Sequence, residues 1–464
     1  MNLDQAFAYI DKNQKRLTDE LIQFLRIPSI SAHKDHDQDV AAALDYDRKK
    51  LESLGFKTEV WTTRAHSGLF AEYLVSPDLP TVLIYGHVDV QPVDPLHLWT
   101  SPPFEPRIAD GKIWARGADD NKGQHYAQIV GIEAALKGGG ELPTNVKFIL
   151  ESDEEHDGEA MAMELPKHKE KLACDVFVVS DSNFPDRDHP AVTLSLRGIQ
   201  AIEVTIKGAS GDKHSGEWGG MLYEPIDVLR WVLQNLKDFE TGRVLVPGFY
   251  DDVDPPTPAT RAAIAQRPWK DDVKAREQGV KRLFNEEGYT ALESGTLRPT
   301  LQVNGIQGGY TGEGFKTVIG NQASAKISTR LVAHQDPEKI FRSLERRIVE
   351  LVGDKGTVEI RRFGAGLPFW SDPESPYVQA GLRALSTAFG KPAIMLAMGG
   401  SIPIVPQLVS VTGAPCVMMG FGLPEDNLHA PDENFPIDNF LGGAKAAAAY
   451  LAEVGAMAGA PGRK

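Results

Sequence analysis

The chain has 464 residues, with 49 Lys and Arg against 64 Asp and Glu for a net charge of −15. Its 42% hydrophobic and 24% charged content is that of a globular protein and excludes a disordered one. The acidic balance argues against nucleic-acid and membrane partners, whose surfaces call for an excess of Lys and Arg.

Near the N-terminus Leu3, Phe7, Ile10, Leu17, Leu21, Ile22 and Leu25 recur at helical spacing, which predicts an amphipathic helix over 3–26 and not a targeting peptide. A second helix is expected over about 39–54, closed by Gly55. Short apolar runs follow at Val82–Tyr85, Val146–Leu150, Val176–Val179 and Cys416–Met419. Runs of this kind suit strands buried on both faces of a parallel sheet. A helix-like stretch, 122–137, lies between the first two and ends at Gly138-Gly139-Gly140. The pattern is α/β, with a doubly wound, mostly parallel sheet.

Residues 198–364 interrupt it. They read strand (202–207), helix (224–238), strand (301–305), strand (324–332), helix (337–352), strand (357–363). That order, βαββαβ, is a ferredoxin-like α+β unit. Residues 240–300, rich in Pro and charge, are expected to form an elaborated loop with one or two helices. The first pattern resumes near Leu367 and ends in an Ala-rich helix, 442–454. The expected organisation is a catalytic domain in two parts, 1–197 and 365–464, with 198–364 inserted. No stretch approaches the roughly 18 apolar residues of a membrane span. The two cysteines, Cys174 and Cys416, have no metal-site or disulfide-framework spacing, so a cytoplasmic location is expected.

Each apolar run is followed by residues that bind metals: His87-Val88-Asp89, then Asp153-Glu154-Glu155, then Asp181, and a loop leading to His429. A fifth set, Arg116 to Gly123, contains Asp119 and Asp120 and precedes a helix. Ligands bind at the carboxyl ends of strands in open α/β sheets, so these sets should converge. In His-x-Asp on an extended segment both side chains point the same way, so His87 can take a metal while Asp89 orients it. The alternative is an exposed loop His beside an Asx-turn. Of the paired glutamates, Glu155 can coordinate and Glu154 can act as general base. The alternative there is a solvated acidic run, since Asp153, Asp157 and Glu159 are acidic too.

Seven blocks in order, YGHVDVQP (85–92), ARGADDNKG (115–123), LESDEEHDGE (150–159), VSDS (179–182), HSGEWGG (214–220), GGSIP (399–403) and NLHAPDENF (427–435), resemble the dinuclear-zinc metallopeptidases of the carnosinase, carboxypeptidase G and aminoacylase family. The likeness is strongest to the carnosinase-like dipeptidase branch. It implies two divalent metal ions per subunit, Zn²⁺ first, with Mn²⁺ or Co²⁺ as alternatives for an oxygen-rich set. His87 and Asp181 would hold one, Glu155 and His429 the other, and Asp120, placed before a cis peptide, would bridge them. The resemblance further implies Asp89 as support, Glu154 as general base, and His214 on the inserted domain serving the site of a neighbouring subunit. That means a homodimer through the insert, and a closing motion. Arg330 would grip the substrate carboxylate, with Gly400 and Ser401 as further donors.

One block departs from the branch. Where it usually carries a glutamate that meets the substrate's free amine, this chain has Met398, which cannot pair an ammonium. The implied activity is therefore a dipeptidase, with an N-acyl-amino-acid deacylase as the alternative. A non-catalytic peptide-binding relative would have damaged ligands, and none is damaged. Finally, Gly309 to Thr317 comes close to GxxxxGK[ST], but Phe315 precedes the Lys and a strand pattern follows where a phosphate loop needs a helix.

Overall fold

The computed structural model of the chain describes residues 1–156, 158–400 and 402–457. The fold is mixed α/β and divides into two compact units, one of residues 1–194, 371–396 and 404–464, the other of 195–370 and 397–403.

The first unit is built on a sheet in the order Lys57–Trp61, Gly68–Tyr73, Asn145–Glu151, Thr81–His87, Val176–Val179, Cys416–Met418 and Ala191–Leu196. Four consecutive strands, from Asn145–Glu151 to Cys416–Met418, run parallel. Every residue of Asn145–Glu151 and Val176–Val179 is buried, which is why their apolar runs do not alternate. The helix Lys122–Lys137 packs between Leu3–Leu25 and Ile437–Ala456. Contact with the latter is close: a Cβ on Gly131 would stand 2.5 Å from the Ala444 carbonyl and 2.6 Å from Ala447 Cβ. Small residues on both faces let the backbones approach, which accounts for the alanines. That last helix is longer than its Ala-rich stretch, because Ile437 to Leu441 extend it toward Pro436.

The second unit holds a four-stranded antiparallel sheet in the order Thr300–Gly308, Gln322–Leu331, Gly198–Lys207, Thr357–Gly366. Gly198–Lys207 alternates strictly between buried and half-buried residues. Its inner row, Ile202, Val204 and Ile206, packs with Val228, Leu229 and Val232 of the helix Pro225–Leu236 and with Ile340, Leu344 and Ile348 of Pro337–Val352. The connectivity is βαββαβ.

Residues 240–300 contain three short helices, Pro258–Ile264, Asp271–Glu277 and Ala291–Thr296, where one or two were expected. Local chemistry starts two of them. Thr257 caps the N–H of Thr260 ahead of a first-turn proline, and Thr290 and Glu293 form a reciprocal capping box. Residues 397–403 also join this unit. Met398 N–H donates to the Ser195 carbonyl at 3.1 Å, and Arg197 N–H to that of Gly400 at 2.9 Å. Among the described residues no helix is long and apolar enough to cross a membrane.

Candidate metal centre

The parallel strands of the first unit end in register: His87 lies opposite Glu151, Tyr85 opposite Val179, and Val179 opposite Met418. The segments that follow them therefore start from one edge of the sheet. Two groups of ligand atoms form there, His87 with Asp120 and Asp181, and Asp120 with Glu155 and His429; within each, the atoms lie within 4.8 Å of one another.

Asp120 belongs to both groups. Its Oδ1 is 3.2 Å from His87 Nε2 and its Oδ2 is 2.9 Å from His429 Nε2. His429 Nε2 is also 3.4 Å from Glu155 Oε2. The neighbouring Asp119 is engaged elsewhere, accepting the Gln124 amide at 2.8 Å. The Asp120–Asn121 peptide is cis.

Asp89, fully buried, supports three ligating or reacting groups at once. It faces His87 Nδ1 at 3.4 Å and accepts the backbone N–H of Glu154 at 3.2 Å and of Glu155 at 3.0 Å. Ser31 donates its hydroxyl to Asp89 at 2.6 Å. Asn121 donates to Asp181 at 3.1 Å, and Gln91 to Glu155 at 2.8 Å. His87, Glu155 and Asp181 are thus oriented from behind.

The donor set fits divalent cations. Glu155 Oε1 is buried without a hydrogen-bond partner, an arrangement that costs free energy unless something else is met there, and the buried His87 Nε2 meets only the Asp120 carboxylate, at 3.2 Å. Burial pushes the Glu155 carboxyl up to about 10, with the Asp120 charge adding, and pushes Glu154 up to about 8. Burial and the Asp120 charge also raise Asp181, to about 6. Asp120 goes the other way: hydrogen bonds from His429 and His87 outweigh its burial and hold it well below the carboxylate range. Hydrogen bonds to Asp120 and Asp89 outweigh burial at His87 and raise it. Crowded carboxylates and imidazoles of this kind are relieved by a cation that takes their lone pairs.

Sequence reasoning missed Glu433. Fully buried, it accepts backbone N–H groups from Gly117, Asp119 and Asp120 and the Arg116 guanidinium. A lone loop glutamate carries no signal of this. Burial follows from a non-local pairing, Phe435 with Ile113.

His214, Arg330 and Gly400 lie in the second unit, and Ser401 lies outside the described residues. The exposed His214 accepts the Gly216 N–H on Nδ1 at 3.0 Å, which leaves the proton of the neutral ring on Nε2. Arg330 is half-buried, on the face of the sheet away from the helices. Lys213–His214 pairs with Val318–Ile319, so a short strand and not a helix follows Thr317.

Residues 83–453 match the profile of peptidase family M20/M25/M40. The chain is 27% identical over 473 residues to the Cys-Gly metallodipeptidase dug1 of Schizosaccharomyces pombe, covering 98% of this chain and 99% of that protein. It is 29% identical over 473 residues to the Beta-Ala-His dipeptidase of Homo sapiens, covering 97% and 92%. Among solved structures, the M20 family metallo-carboxypeptidase Sso-CP2 from Sulfolobus solfataricus matches with a TM-score of 0.82 at 31% identity, covering 95% of this chain and 99% of that one.

Proposed function

The chain belongs to peptidase family M20/M25/M40, and from that premise we propose that it is a metallohydrolase cleaving an amide bond beside a free carboxylate in a small substrate, a dipeptide first. The observation that carries this reading is Asp120, shared by two groups of ligand atoms. The two relatives that are dipeptidases by name support the substrate class.

In this proposal His87 and Asp181 would hold one divalent ion and Glu155 and His429 a second, with Asp120 available to both. The ions, zinc first and manganese or cobalt as alternatives, would polarise the scissile carbonyl and acidify water when bound. Glu154 takes the proton of the attacking water and passes it to the leaving nitrogen. Its backbone is fixed by Asp89, and a carboxyl pushed up to about 8 can hold that proton near neutrality. The Arg330 fork meets the substrate carboxylate, and Gly400 and Ser401 add donors.

The second unit is proposed as the lid and dimerisation domain of a homodimer. Its edge strand Thr300–Gly308 exposes Val303 and Ile306, and the adjoining helix Pro225–Leu236 exposes Ile226 and Trp231, an unpaired apolar face suited to a second copy. In the dimer the Nε2–H of His214 would serve the partner's site as an oxyanion donor. A cytoplasmic location fits the cysteine usage.

Met398 favours one second reading, an N-acyl-amino-acid deacylase, since a thioether accepts an uncharged acyl group and cannot pair an ammonium. Likeness to a metallo-carboxypeptidase agrees with tolerance on that side. Hydrolysis of a free dipeptide against its N-acetylated C-terminal amino acid decides: faster dipeptide cleavage supports the first reading, faster deacetylation the second, and neither overturns both.

A further inference from the structure

The second unit contains a cavity of about 200 Å³ that shares no residue with the metal centre. Its walls include Leu297, Val332, Phe369 and Trp370, and its polar lining places Ser195 and Arg197 beside three threonines and the pair Asp254 and His334, which face each other at 3.5 Å. Ser195 is 6% exposed and its Oγ has no hydrogen-bond partner. A buried hydroxyl in that state loses a bond it would have in water, unless a ligand restores it.

Arg197 is the stronger observation. Among the described residues its side chain meets no carboxylate; its one hydrogen bond is a long one, 3.4 Å from Nε to the Gly399 carbonyl. The four N–H groups on its two terminal nitrogens are therefore uncommitted. Gly399 permits that approach, since a Cβ there would stand 3.0 Å from Arg197 Nη2. Burial, with the charge of Arg330 adding, pulls the guanidinium down to about 10, the direction expected of a desolvated cation without a counter-ion. An unpaired guanidinium beside the apolar side chains of Leu297, Phe369 and Trp370 has the chemistry of a carboxylate receptor: a planar fork for two oxygens and an apolar wall for the body of the ligand.

We infer that this cavity binds a small aliphatic carboxylate, its two oxygens on the Arg197 fork, a hydrogen bond from Ser195 Oγ, and its apolar body against Phe369, Trp370 and Leu297. At roughly 30 Å³ per water-sized group there is room for about six such groups, the size of a short branched acid. The inference does not depend on the proposed hydrolysis, because the site uses no metal ligand and no general base.

The test is calorimetric titration of the full chain, kept in chelator, with isovalerate and with isovaleramide. The acid should bind, and the amide, which lacks the charge, should bind about tenfold more weakly or worse. Arg197→Met should weaken the acid by a similar factor. Ala333→Trp, which fills the cavity from the Val332 side and keeps Arg197, should abolish binding and covers the case in which the arginine variant does not fold. Equal binding of acid and amide, no binding by the native chain, unchanged binding by Arg197→Met, or unchanged binding by Ala333→Trp would each overturn the assignment.

Discussion

The carboxylate of Glu433 accepts the backbone N–H of Asp120 at 3.0 Å. The same oxygen takes the Asp119 N–H at 3.0 Å, and the other takes Gly117 at 2.9 Å and Arg116 at 2.7 Å. One buried side chain thus ties the turn that carries Asp120 to the loop that carries His429. In Glu433→Gln an amide NH₂ must face N–H donors, and the turn loses a fixed position. The variant should fold and bind its metal about 10- to 100-fold more weakly, read as metal retained per chain after dialysis against graded chelator. Retention identical to the native chain would remove Glu433 as a positioning residue.

Glu154 is proposed to move protons and not to bind metal. Glu154→Gln should keep the native metal content and lower kcat by about 10²- to 10⁴-fold with little change in KM. Native turnover would rule Glu154 out as the base; lost metal would make it a ligand.

Much of the site was legible because its signals are local. Strands buried on both faces show as unbroken apolar runs, and three of the four are followed within a few residues by His87, Glu155 or Asp181. What was not legible depends on pairing across the chain. Glu433 is buried where the strand of Phe435 pairs with that of Ile113, and 397–403 join the second unit through the Ser195 and Arg197 backbones and the packing of Ala397 with Leu292 and Leu297. The three short helices of 240–300 were undercounted because each is one or two turns long, and caps such as Thr257 and Thr290 in a Pro-rich stretch read equally well as turns.

A stability prediction comes from Glu133, fully buried. Arg16 and Lys50 meet its two oxygens at 2.7 Å and 2.5 Å, and Tyr9 donates at 2.7 Å. Burial raises this carboxyl, but the Lys50 and Tyr9 hydrogen bonds and the Lys50 and Arg16 charges outweigh it, bringing it from 4.5 down to about 2. With the folded value below the unfolded one, its contribution, roughly 3 kcal/mol at ~1.4 per unit, is complete above 4.5 and is lost as pH falls toward 2. In urea unfolding, the stability gap between the native chain and Glu133→Gln should narrow by that amount across this window. A constant gap would contradict the ion-pair account.

His214 tests the shared site. His214→Ala and Glu154→Gln homodimers should both be nearly inactive, and mixing them under subunit exchange should restore a part of the activity, because one site in each hybrid then holds both intact groups. No recovery in verified hybrids would count against a histidine donated across the dimer.

The central claim is that paired metals, sharing Asp120, make this chain a hydrolase. The most direct measurement is dipeptide hydrolysis by metal-stripped protein as Zn²⁺, and separately Mn²⁺, is returned in known equivalents. The account predicts no turnover in chelator and a rise that levels off at two equivalents per chain, with Asp120→Asn abolishing the second. Turnover that persists in chelator, or that is complete at a single equivalent, would contradict it.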